Sequence, residues 1–135
     1  MRILGLDWGD VRIGAAVSDP EGKIAFPLEK VLEAKSAADE IKNLVFDLRV
    51  EKIVIGLPKN LSGKEEMSAK KVTEFVKNLK AQVAPPIELV DERFTSIEAG
   101  KKLSDAGINE QKQRIIKDNI AAQIMLQQYL DTNNK

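Results

Sequence analysis

The chain has 135 residues, 43% hydrophobic and 31% charged, with 21 basic and 21 acidic side chains and a formal net charge of zero. That is the size and apolar content of a single domain, residues 1–135, with its own core. The balanced charge means that any nucleic-acid footprint must be a local basic rim. The absence of cysteine and histidine excludes disulfides, thiolate nucleophiles, zinc fingers, Ser-His-Asp triads and imidazole general bases. An enzyme of this composition works with carboxylates, lysine or a bound hard metal.

The opening MRILGLD has too short an apolar run for a signal sequence or a bilayer span, so a cytoplasmic location is expected, with no membrane contact. The same residues start a strand over 2–8, with Ile3, Gly5 and Asp7 on one face and Leu4, Leu6 and Trp8 on the other. Gly9-Asp10 marks a turn, and a second alternating strand follows over 11–18. Asp19-Pro20-Glu21-Gly22 is another turn. A third strand over 23–32 is interrupted by Pro27, which points to an edge or a bulge. These three strands read as an antiparallel meander.

Ser36 is the expected N-cap of a helix reaching about residue 49. KIVIGL at 52–57 has the continuous apolar character of a buried parallel strand. Ser62 and Glu65 form a capping box opening a helix to about residue 80. Pro85-Pro86 introduces a strand over 87–91. Thr95 and Glu98 form a second capping box, for a short helix ended by Gly107. A last helix spans about 111–131. The order βββαβαβαα predicts an α/β domain: a mixed five-stranded sheet, antiparallel meander plus parallel strands, with helices on both faces.

Three carboxylates stand out. Asp7 closes the first strand in GLDWG, at the carboxyl end where ligand sites of α/β sheets collect; a turn aspartate bonding the backbone of Gly9 is the alternative. Glu92, in VDERFTS, ends the fifth strand; its alternatives are a helix-capping acid or a surface pair with Arg93. Asp118 lies in the last helix, on the side of Ile115, Ala122, Met125 and Tyr129. A carboxylate in an apolar stripe needs compensation, which a metal ion supplies; a solvated aspartate is the alternative. Ile116, Ile120 and Ile124 form a second apolar side, so periodicity leaves open which side meets the sheet. Spacing alone does not bring the three acids together.

Four stretches, ILGLDWGDVRIGAAVSD (3–19), IVIGLPKNLSG (53–63), VDERFTSIEA (90–99) and KDNIAAQIMLQQYLD (117–131), resemble in order the YqgF/RuvX family of pre-16S rRNA nucleases, relatives of the RuvC Holliday-junction resolvases. The resemblance implies an RNase H-like fold. It implies that Asp7, Glu92 and Asp118 form an acidic site holding magnesium or manganese, with Asp7 bridging the metals. Asp91 is the alternative to Glu92, since adjacent residues of a strand point to opposite faces. Arg12, Lys59, Asn60 and Arg93 are the expected substrate contacts, with solvated surface or turn roles as the alternative. Lys101, Lys102, Lys112, Arg114 and Lys117 are read as a nucleic-acid footprint or as a plain helix surface. Trp8 is read as core, with base stacking as the alternative.

The function implied is two-metal hydrolysis of phosphodiesters at the end of precursor 16S rRNA, by a monomer or homodimer. Branched DNA is the alternative substrate, as for a Holliday junction resolvase. Two other classes compete: a noncatalytic RNA-binding module, and an ATP-binding domain, because GLDWG also resembles the phosphate loop of actin-like ATPases.

Overall fold

The computed structural model describes the backbone of residues 1–9, 11–58, 65–92 and 110–133, and side chains at 1–9, 11–57, 70–90 and 117–132. The strands are β1 (Ile3–Asp7), β2 (Arg12–Ser18), β3 (Ala25–Pro27), β4 (Leu32–Glu33), β5 (Lys52–Pro58) and β6 (Ile87–Glu92). The helices are α1 (Ala37–Leu48), α2 (Glu65–Lys80) and the long α3 (Glu110–Asn133), with a single 3-10 turn at Ala34–Ser36.

The sheet order is β3-β2-β1-β5-β6, with β4 branching off β2. β2 runs antiparallel to β1 and β3, while β5 is parallel to β1 and β6 parallel to β5. β1 is therefore the central strand, where the meander meets the parallel half. The sheet gains a short sixth strand because the expected third strand, 23–32, divides into β3 and β4. The ladder with β2 ends one residue after Pro27, where the Leu28 N–H bonds the Ala15 carbonyl at 3.0 Å, and the chain turns away before Leu32 pairs with Ile13.

Strand alternation builds two cores. Leu4, Leu6, Trp8, Ile13, Ile53 and Ile55 face one way and pack with Ile41 of α1 and with Val72, Val76 and Leu79 of α2. Ile3, Ala16 and Val54 face the other way and pack with Ala122, Met125, Leu126 and Leu130 of α3. Trp8 is thus core, on the face away from Asp7, and is not a base-stacking platform. The side of α3 that includes Ala122 and Met125 meets the sheet; Ile120 is also buried, whereas Ile124 is only partly so.

Two local readings change. Ser36 does stand at the N-cap of α1, but its hydroxyl makes no capping hydrogen bond, because the preceding 3-10 turn sets its backbone at φ −120°, ψ 9°. α1 ends at Arg49 in the left-handed region, φ 53°, a conformation usually signalled by glycine. The capping box around Ser62 and the short helix near 95–107 lie outside the described residues. Among the described residues, no helix is long and apolar enough to cross a membrane.

Candidate active site

Asp7 ends β1 at the middle of the sheet. Its ladder partners are Gly14 on β2 and Gly56 on β5. Directly paired residues share a face, so Asp7, Gly14 and Gly56 belong to the face covered by α3. A Cβ built on Gly14 would lie 1.9 Å from the carbonyl oxygen of Asp118 and 3.1 Å from the amide nitrogen of Asn119. The backbone of α3 therefore rests directly on β2 at the position opposite Asp7. One strand to the side and two residues back, a Cβ on Gly5 would lie 2.9 Å from the Cβ of Leu126. Two glycines thus pave the surface on which the helix sits, and this close approach carries Asp118 to the strand end where Asp7 stands.

Asn119 fixes the helix in register. It is fully buried. Its Oδ1 accepts the Ala15 N–H at 2.8 Å, and its Nδ2 donates to the carbonyls of Leu28 at 2.7 Å and Lys30 at 3.0 Å. The amide fills the gap left where the chain leaves the ladder after Pro27. Gln123 donates to the Ala25 carbonyl at 3.0 Å, while Gln127 accepts the Ala25 N–H at 2.9 Å and donates to the Lys23 carbonyl. These amides, spaced four residues apart, cover the open edge of β3. Sequence reasoning overlooked them; the signal was the row Asn119, Gln123, Gln127, amide side chains at a spacing of four on one line of the helix.

Asp118 meets a cation of the chain itself. Arg12 Nε lies 3.3 Å from its Oδ2, with side-chain exposures of 59% for Arg12 and 32% for Asp118. Arg12 shares the alternation of Gly14 and Ala16, and so stands on the same side of the sheet as Asp7. Beyond it, Val11, Arg12, Glu29, Lys30, Glu33 and Lys35 line an open groove of about 780 Å³.

For Glu92, the third candidate acid, only the backbone register is described. β6 pairs with β5 so that Gly56 meets Val90 and Pro58 meets Glu92. Glu92 is two residues beyond Val90, in the alternation that runs through Gly56 to Asp7; Asp91 falls in the opposite set. The side chains of Asp91 and Glu92, and residues Lys59, Asn60 and Arg93, lie outside the described ones, as do Lys101, Lys102 and the side chains of Lys112 and Arg114. Lys117 is exposed. Among the described residues no three acids converge to hold a metal. The described pair, Asp7 and Asp118, offers only hard carboxylate oxygens, the donors that magnesium and manganese take.

A family model described as RuvX, Holliday junction resolvase, matches residues 1–132. The chain belongs to the RuvX family. A relative described as "Putative pre-16S rRNA nuclease" from Sulfurihydrogenibium sp. is 46% identical to this RuvX-family chain over 96% of its length and 90% of the relative. One of the same description from Halothermothrix orenii is 38% identical over 100% of this chain and 98% of the relative. RuvC of T. thermophilus, solved with a Holliday junction substrate, matches with a TM-score of 0.65 at 14% identity, over 99% of this chain and 96% of that one. A fowlpox virus resolvase solved with Holliday junction DNA matches at 0.57 and 15%, over the full length of both chains. At such identities the structural likeness carries the fold alone, which is RNase H-like.

Proposed function

We propose that this RuvX-family chain is a cytoplasmic nuclease that hydrolyses phosphodiester bonds at the end of precursor 16S rRNA, as a monomer or homodimer, with Asp7, Glu92 and Asp118 as its acidic site. The observation that carries the reading is the seating of Asp118 on Gly14, the ladder partner of Asp7. Two acids far apart in sequence thereby share one end of one sheet face. The register of Glu92 supports it as the third acid in preference to Asp91. The names of the relatives support the rRNA substrate.

An all-carboxylate donor set in a chain without histidine suits magnesium or manganese, and the residues that would hold the ions are Asp7, Glu92 and Asp118. When bound, such ions supply Lewis-acid activation of water and neutralise charge during in-line displacement at phosphorus. The chain's own part is orientation. The ladder bonds of β1 hold Asp7 at a rigid strand end. Asn119 and Gly14 hold the backbone of Asp118, so its carboxylate is placed before any ligand arrives. Arg12, Lys59, Asn60 and Arg93 are the proposed contacts to the substrate backbone.

The second reading, a Holliday junction resolvase, is favoured by the description of the family itself. One experiment separates the two: incubation of the parent chain and Asp7→Asn with precursor rRNA and with a four-way DNA junction, each in magnesium and in EDTA. The expected outcome is magnesium-dependent cleavage of the rRNA, with a loss on the order of 10² or more in rate for Asp7→Asn. Cleavage of the junction instead supports the second reading. Equal rRNA processing by both proteins supports a noncatalytic RNA-binding module.

A further inference from the structure

We propose that Arg12 is an exchangeable counter-ion of the acidic site: it neutralises Asp118 until a divalent cation binds there, and is then released to hold a phosphate of a single nucleic-acid strand in the adjoining groove. The inference rests on the acidic-site reading above and adds a coupling between its two ligands.

The two partners of the ion pair differ in freedom. Asp118 is fixed by its backbone, which lies on Gly14 and is followed by the buried Asn119. Arg12 is 59% exposed and reaches Asp118 at 3.3 Å through Nε. Glu33 is its direct neighbour across the β2–β4 ladder, yet the guanidinium turns to the acid of the helix. An exposed ion pair of this kind is weak, so a cation taking the Asp118 oxygen displaces it readily, the more so because two cations on one carboxylate repel.

The groove gives the displaced guanidinium its next partner. Its other charged lining residues, Lys30, Lys35, Glu29 and Glu33, cancel, and Lys30 lies 3.6 Å from Glu40. The sign of the groove therefore depends on Arg12. Committed to Asp118, it leaves the lining neutral; released, it makes the lining cationic beside the acidic site. Cation and nucleic acid then favour each other's binding by the same factor, as linkage requires.

The test compares the parent chain with Arg12→Gln and Arg12→Lys, with melting curves verifying that each is folded. Calorimetric titration with magnesium alone, without nucleic acid, is expected to give Arg12→Gln a roughly two- to fivefold tighter affinity, the range set by an exposed ion pair; Arg12→Lys stays near the parent. Binding of a fluorescent single-stranded RNA is then followed against salt, in calcium, with its integrity checked on a gel. The slope of log affinity against log salt is expected to be shallower for Arg12→Gln by about 0.7, one phosphate contact, and to be equal for the two proteins in EDTA. Unchanged magnesium affinity in Arg12→Gln, or equal slopes in calcium, overturns the exchange while leaving the acidic site standing. If the parent chain binds no magnesium at all, the acidic-site reading falls, and the exchange with it.

Discussion

Asn119 is a neutral side chain with no place in the chemistry, yet its amide satisfies one N–H of β2 and two carbonyls of the segment that leaves β3. Truncation strands three backbone groups, of which the Ala15 N–H is buried and the two carbonyls are part-buried. Unsatisfied buried groups cost about 1–3 kcal/mol each, with some recovered by relaxation. Asn119→Ala is therefore expected to lower stability by about 2–4 kcal/mol in urea denaturation. It is also expected to reduce the cleavage rate under conditions where it is still folded, because Asp118 loses its anchor. A stability within about 0.5 kcal/mol of the parent would show that the amide is not holding the helix. Gly14 makes the complementary point: backbone faces backbone at 1.9 Å from its missing Cβ, so neither side can give way by rotating a side chain.

At the scale of elements, α3 is held to the sheet along its length by different means. Asn119 sits near the strand end that carries Asp7, Gln123 and Gln127 cover β3, and Tyr129 meets Lys52 and Glu88 at the opposite end of the sheet, on β5 and β6. Lys52 Nζ donates to the Tyr129 hydroxyl and lies 5.2 Å from the centre of its ring. Between these attachments the apolar seam needs close approach. Gly5 supplies it, with the Leu126 side chain at 2.9–3.3 Å from the position of a Cβ. Gly5→Ala is expected to cost about 1–2 kcal/mol by overpacking. The cost should shrink in a Leu126→Ala background, where the helix can settle. A double-mutant cycle by thermal melting checks this; strict additivity would mean that the two residues do not meet.

At the scale of the whole molecule, the Tyr129 cluster ties stability to pH. The Tyr129 hydroxyl, and after it Lys52, hold the Glu88 carboxyl below its ordinary range. Its contribution is thus present above that range and is lost as pH falls below about 4. The hydrogen bond to Tyr129 raises Lys52, and burial, then the bond to Glu88, raises Tyr129. Those contributions are present below the ordinary values and are lost as pH rises above about 10. Tyr129→Phe is expected to lower the melting temperature by a few degrees at neutral pH, for hydrogen bonding of about 1 kcal/mol. Its gap from the parent should narrow towards both extremes. A constant gap across the range would mean that the cluster does not titrate with folding.

The periodic elements and the donor chemistry were legible in the amino-acid sequence. Alternation in 2–8 assigned Asp7 to the face of Ile3 and Gly5, the apolar run at 52–57 marked a buried parallel strand, and the lack of histidine and cysteine confined any metal site to carboxylate oxygens. These are local properties, set by side-chain parity and donor type. Four motifs in order carried the family, because their resemblance spans the whole fold. Which side of α3 meets the sheet follows from tertiary contacts alone, since it depends on Gly14 accepting the helix backbone, on Gly5 accepting the Leu126 side chain, and on amides satisfying a distant strand edge. Tertiary structure also decided that Arg12 faces Asp118 and that β4 branches from β2. The contacts of α3 join residues about a hundred positions apart, and nothing in the local pattern of either partner encodes the other.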